Sequence, residues 1–180
     1  LSGIFRKMTG CGGPVYTVAT ACSSSARAFI SAARLIEAGI CDAVVVAGTD
    51  TLSRIAVAGF ESLGALSLEP CLPFHRSRSG MNIGEGTAMC VLSHEMLGDR
   101  STMLMGYGAS SDGYHISSPE PTGTYAAIAM KDALKAAGLK SSDIGYVCLH
   151  GTGTKLNDGM EAKAVAKVFP DVPASSIKHL

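Results

Sequence analysis

This sequence predicts an α/β fold on three observations. Strand-length apolar runs alternate with amphipathic helical runs, 21 glycines punctuate the joins, and 47% of the 180 residues are hydrophobic. Such alternation places largely buried strands between helical layers. Residues 16–19 read as a short strand entering Thr20-Ala21-Cys22-Ser23-Ser24-Ser25. A helix follows from Ser23, with Ala26, Phe29, Ile30, Ala33 and Ile36 at helical spacing and Gly39 at its C-cap. Residues 42–47 form a buried strand closing at Gly48, and 55–66 carry mixed helical spacing around Phe60 and Leu63. A Pro- and Arg-containing loop fills 69–80, and Gly84-Glu85-Gly86 turns into a strand over 87–92.

A polar break at Gly98-Asp99-Arg100-Ser101 divides the chain into 1–98 and 99–180. Beyond it, 103–109 reads as a strand, and Pro119 and Pro121 precede a helix that Gly138 ends. Tyr125, Ile128, Ala129, Ala133, Leu134 and Ala137 mark the buried side of that helix. Residues 146–149 form a short buried strand presenting His150, and a last helix covers about 158–169 with Met160, Ala164, Val165 and Val168 inward. The strand, loop and helix sequence thus occurs twice around a polar residue, once at Cys22 and once at His150, as in two duplicated halves meeting at a shared site.

Composition excludes several functions. Fifteen basic residues balance fifteen acidic ones, and no basic run offers a phosphate-backbone surface, so nucleic acid is not an expected partner. The longest apolar stretches are strand-length, so no membrane span is expected. Six scattered cysteines without a secretory signal fit reduced thiols and a cytoplasmic location. The start at Leu1 and the stop at Leu180 fit an internal fragment.

Cys22, between a strand end and a helix N-terminus, is a candidate nucleophile. Unpaired N–H groups and the positive end of the helix dipole favour a thiolate and can receive charge developing on an attacked carbonyl oxygen. Its small neighbours leave the sulfur accessible, whereas Cys41, Cys90 and Cys148 lie in apolar segments and Cys11 and Cys71 in loop-like ones. His150-Gly151-Thr152-Gly153-Thr154 follows a strand directly, where α/β folds place their sites. Its glycines admit a ligand to the backbone, and its two hydroxyls suit an extended polar ligand. The alternative readings are an inert core cysteine and a structural histidine.

Thr20-Ala21-Cys22-Ser23-Ser24, Pro73-Phe74 with Arg78 and Gly80, Gly84-Glu85-Gly86, and His150-Gly151-Thr152-Gly153-Thr154 together resemble the β-ketoacyl synthase family in motif, order and approximate spacing. The resemblance covers the whole chain and implies a thiolase-like αβαβα layered fold, incomplete, with parts of both halves. It implies decarboxylative Claisen condensation of an acyl thioester on Cys22 with malonyl-acyl carrier protein, in fatty-acid or polyketide synthesis. His150 would stabilise the enolate, Lys178 matches the active-site lysine, and Glu161 resembles the acid that pairs with it. Thr152 and Thr154, with Ser117 a further candidate, would contact the phosphopantetheine arm; each also suits a turn or cap. Phe60 would line the acyl pocket or serve as a core aromatic. No cofactor or metal is implied, because phosphopantetheine arrives on the carrier protein, and a homodimer is expected.

Where the family commonly carries acids, this sequence has His75 and Ser79. A second catalytic histidine is expected beyond Leu180, so the fragment alone should not condense. The runner-up function is a non-catalytic partner subunit of the chain-length factor type, which would usually lack Cys22. A zinc site from Cys71-x-x-x-His75 and Cys90-x-x-x-His94 lacks a Cys-x-x-Cys knuckle. Gly106-x-Gly108 has Ser111 where a dinucleotide fingerprint needs its third glycine.

Overall fold

The computed structural model describes residues 2–96, 98, 99 and 101–179; Leu1, Leu97, Leu180 and Arg100 of the polar break lie outside them. The chain forms two compact units, Leu1–Thr51 with Glu85–Thr102 and Leu52–Gly84 with Met103–Leu180. Residues 52–84 thus pack with the C-terminal part of the sequence.

The first unit contains α1 (Ser2–Thr9), α2 (Ser24–Glu37), β1 (Ala43–Asp50) and β2 (Gly86–Ser93). β1 and β2 pair antiparallel with Val46 opposite Cys90 and Val45 opposite Val91. One sheet face lies under α2: Val46 is buried, and a Cβ at Gly48 would stand 2.7 Å from Ser25 Oγ. The other face carries Val45, Met89 and Val91, all exposed. The strands read as buried are therefore covered on one side only, and Cys90 is exposed. Ile30, Ala32 and Ala33 are the buried residues of α2, so Ala26, which was expected on that face, is exposed instead. Helix α1 was not anticipated, because its apolar Ile4 and Met8 remain exposed rather than forming a core face.

The second unit contains α3 (Arg54–Ser62), α4 (Thr124–Ala137), β3 (Val147–Cys148), α5 (Lys155–Val168) and β4 (Ala174–Ser175). β3 and β4 pair parallel. Ala127, Ala164, Val165, Val168 and Phe169 form the core between α4 and α5, with Met130, Leu134, Ile144, Val147 and Leu149 packed against it. The helices approach closely because Gly123 precedes α4: a Cβ there would meet Met160 O at 2.6 Å and Ala164 N at 2.8 Å. Gly138, at φ +67°, ends α4 as the sequence indicates.

Two expected strands are not formed. Residues 16–19 are irregular, with an isolated bridge at Thr20 and Cys22 beyond them. Residues 103–109 have no ladder partner among the described residues and lie instead against α4. Cβ atoms at Gly106 and Gly108 would stand 2.6 Å from Ala133 O and 2.0 Å from Ala129 O. Ala129, Ala133 and Ala137 thus receive this segment while the Ala127 face meets α5. Tyr125 and Ile128, read as buried, fall between these two contacts and are exposed.

Candidate active site

Cys22 sits in a tight turn one residue ahead of the N-cap of α2, Ser23. Ala21 has φ +52°, a left-handed conformation that costs a non-glycine residue ~1 kcal/mol. The neighbouring serines hold it there. Ser24 Oγ accepts the Thr20 N–H at 2.8 Å and donates to the Ala21 carbonyl at 2.6 Å. Ser23 Oγ donates to the Thr20 carbonyl at 2.8 Å rather than capping the helix, so the first turn of α2 has no side-chain cap. Cys22 itself is exposed. A strained residue before an accessible thiol at a helix start shares those two features with a nucleophile elbow, although no strand leads into it.

In the second unit, His150 stands just past β3, where the Leu149 N–H donates to the Ser175 carbonyl at 2.8 Å. Its surroundings fix its orientation from three sides. The His150 and Gly151 N–H groups donate to the two carboxylate oxygens of Glu161 at 2.7 and 2.8 Å. The Lys178 ammonium donates to the His150 carbonyl and lies 3.3 Å from its Nδ1. An ammonium has no acceptor, so Nδ1 must accept and the ring proton resides on Nε2. Although His150 is exposed at the surface, partial desolvation of its ring and the nearby Lys178 charge hold it below its ordinary pKa, against a smaller opposite pull from Glu161 and Asp158. The imidazole is thus a neutral Nε2–H donor near neutral pH.

Lys178 and Glu161 meet through His150, not each other; among the described residues no ion pair joins them. Ser176, which sequence reasoning missed, is 5% exposed and completes the turn. Its hydroxyl donates to the Gly151 carbonyl at 3.2 Å and accepts the Lys178 N–H at 3.3 Å. Gly151 must be glycine here: its φ is +42°, and a Cβ would stand 2.5 Å from Ser176 Cβ.

Asp158 is the second missed residue, 1% exposed and paired with Arg78 at 3.4 Å. It accepts the Phe74 N–H at 2.8 Å, the Gly153 N–H at 3.2 Å and the Asn157 amide at 3.3 Å. Phe74, at φ +61°, is therefore locked to the His150 turn, and the Arg78 loop keeps an acidic partner despite His75 and Ser79. Breaking a buried pair of this kind costs about 3–5 kcal/mol.

Thr154 is the N-cap residue of α5, yet its side chain does not cap. Its hydroxyl pairs with that of Thr152 at 2.8 Å. Thr152 is buried and Thr154 half-buried. Phe60 is half-buried on α3, and Ser117 is exposed, its N–H donating to His115 Nδ1 at 3.2 Å. No hydrogen bond joins either to residues 150–154 among the described residues. Cys71, placed by sequence in a loop, is the buried cysteine, 2% exposed. A cavity of about 310 Å³ lined by Asp112, Glu120, Gly123, Tyr125 and Met160 contains none of these residues. Among the described residues no cluster of three or more His, Cys, Asp or Glu side chains could share a metal ion, and no helix is long and apolar enough to cross a membrane.

The profile of the β-ketoacyl synthase N-terminal domain matches residues 1–96 and that of the C-terminal domain residues 102–179. The chain belongs to the β-ketoacyl synthase family. It is 39% identical to Nodulation protein E of Rhizobium meliloti over 168 residues, 90% of this chain and 41% of that protein. It is 33% identical to 3-oxoacyl-[acyl-carrier-protein] synthase 2 of Staphylococcus aureus over 182 residues, 95% of this chain and 44% of that protein. Among solved structures, a ketosynthase in complex with its chain length factor from Xenorhabdus doucetiae matches at a TM-score of 0.91 and 44% identity, covering 99% of this chain and 44% of that one. A type II polyketide ketosynthase bound to its acyl carrier protein matches at 0.90 and 27% identity, covering 99% and 48%. The α/β, thiolase-like fold class is shared with these ketosynthases, and the chain spans less than half the length of the relatives named.

Proposed function

We propose that the protein carrying this chain performs decarboxylative Claisen condensation on acyl carrier protein thioesters, in fatty-acid or polyketide synthesis. Cys22 sulfur attacks the acyl thioester carbonyl; the carbon–sulfur bond to pantetheine breaks, and the carrier protein leaves as a free thiol with the Cys22 proton. A malonyl thioester then loses carbon dioxide, and the electron pair of the broken carbon–carbon bond becomes an enolate. The enolate oxygen accepts from His150 Nε2–H. The nucleophilic carbon attacks the acyl-Cys22 carbonyl, and Cys22 sulfur leaves as thiolate, giving a 3-oxoacyl thioester two carbons longer.

The observation that carries this reading is the placing of His150 just past a strand end, its Nδ1 3.3 Å from the Lys178 ammonium and its backbone N–H held by Glu161. Thr152 and Thr154 contact the phosphopantetheine arm through their hydroxyls, with Ser117 a further hydroxyl contact to it, and Phe60 lines the acyl pocket. The carrier protein supplies phosphopantetheine, so the enzyme uses no cofactor of its own. The protein acts in the cytoplasm as a dimer of two like subunits, its residues 1–98 and 99–180 belonging to the two halves of the fold. Cys22 favours this reading over a silent chain-length factor subunit.

The complete gene product tests it with malonyl-acyl carrier protein. His150→Ala should lower carbon dioxide release at least a hundredfold, as removal of one preorganised donor does, while acyl transfer to Cys22 persists. Unaltered decarboxylation in that variant would refute the role of His150.

A further inference from the structure

Two side chains from the 71–82 loop donate to the carbonyls of the threonine turn, and the condensation chemistry uses neither. Cys71 Sγ donates to the Thr152 carbonyl at 3.4 Å, in a gap so close that a Cβ at Gly153 would stand 2.7 Å from the sulfur. Arg78 Nε and Nη2 donate to the Thr154 and Lys155 carbonyls, each at 3.4 Å. The loop bearing them is itself fixed. Asn82 accepts the Cys71 N–H at 2.8 Å and donates to the Ser67 and Glu69 carbonyls at 3.0 and 3.1 Å.

We infer that Cys71 and Arg78 are positioning residues that hold the 152–155 backbone so that the paired Thr152 and Thr154 hydroxyls meet the pantetheine arm. This rests on the reading of those threonines given above. The Thr154 hydroxyl, at a helix N-cap, is paired with that of Thr152 and is not used to cap the helix. Burial, with Asp158 adding to it, raises the Cys71 thiol above its ordinary pKa, so it stays protonated and able to donate.

The test compares acylation of the complete gene product by an acyl-pantetheine thioester and by the acyl thioester of ethanethiol, which lacks the pantetheine amides. Cys71→Val removes the donor while adding one methyl branch, and Cys71→Ala removes it without adding bulk where valine does not pack. KM for the pantetheine substrate should rise about two- to tenfold, the range for one net hydrogen bond, with kcat and the ethanethiol reaction unchanged. Cys71→Ser, which keeps a donor, should restore much of the loss. Arg78→Lys should also raise the pantetheine KM, because one point donor replaces a fork reaching two carbonyls. An unchanged KM in the Cys71 variants, an equal loss on both substrates, or a Cys71→Ser as impaired as Cys71→Val would overturn the inference. Thr154→Val separates the two levels. If it raises the pantetheine KM while Cys71→Val does not, only the positioning role fails; if it leaves that KM unchanged, the pantetheine reading fails and the inference with it.

Discussion

Replacing Glu161 by Gln isolates what the buried carboxylate does for His150. Both carboxylate oxygens accept backbone N–H groups, from His150 at 2.7 Å and Gly151 at 2.8 Å, and the residue is 8% exposed. An amide of the same shape offers one oxygen, so its NH2 must face one of the two N–H groups and leave it unpaired. Leaving one buried donor unsatisfied costs about 1–3 kcal/mol, or about 2–4 °C of Tm per kcal/mol for a domain of 150–250 residues. The charge change has a second signature. Glu161 raises the His150 pKa while Lys178 lowers it, so removing the carboxylate leaves the lowering charge opposed only by the smaller pull of Asp158. The acid limb of the decarboxylation rate, where His150 protonates, should therefore move to lower pH in Glu161→Gln as the maximal rate falls. Calorimetry and a pH–rate profile read both effects. An acid limb that stays in place or moves upward would refute the assignment of the ring environment, and an unchanged Tm would refute the two-bond geometry.

Gly108→Ala would place a Cβ 2.0 Å from Ala129 O, so thermal denaturation should show a loss of about 1–3 kcal/mol or more as the 103–109 segment lifts off α4. Ser24→Ala removes both hydrogen bonds of one hydroxyl to the Cys22 turn, and about 1–2 kcal/mol of stability in denaturant melts, whereas Ala21→Gly should relieve the left-handed strain and cost little. Asp112 is held below its ordinary pKa by the Glu120 and Tyr114 N–H groups, and Glu120 by the hydroxyl and N–H of Thr122. With folded values below unfolded ones, this stabilisation is full above the ordinary carboxylate range and is lost as pH falls from that range through the lowered folded values; Asp112→Asn should flatten the acid limb of Tm against pH.

Sequence periodicity located α2, α4, α5, β1 and β2, because each carries its own helical or strand-length apolar pattern. It could not see whether residues 16–19 and 103–109 acquire ladder partners, since a strand is completed by a neighbour and not by its own residues. In the second case two glycines suit the segment to close contact with a helix. The motifs picked out Cys22, His150, Glu161 and Lys178, yet Asp158 and Ser176 emerge only from the folded chain. An acid in the first turn of a helix reads as solvated until Phe74 and Arg78, some eighty positions earlier, close over it. Cys71 is similar: nothing local marks it as buried, because the carbonyl it meets belongs to Thr152.

Condensation as proposed requires Cys22 to carry the acyl group. Incubating the complete gene product with an acyl-carrier protein thioester and mapping its peptides by mass spectrometry tests this most directly. One acyl mass is expected on the peptide containing Cys22, absent in Cys22→Ser and discharged when malonyl-carrier protein is added. An acyl group that persists on the protein after Cys22→Ser, or one that malonyl-carrier protein leaves in place, would contradict it.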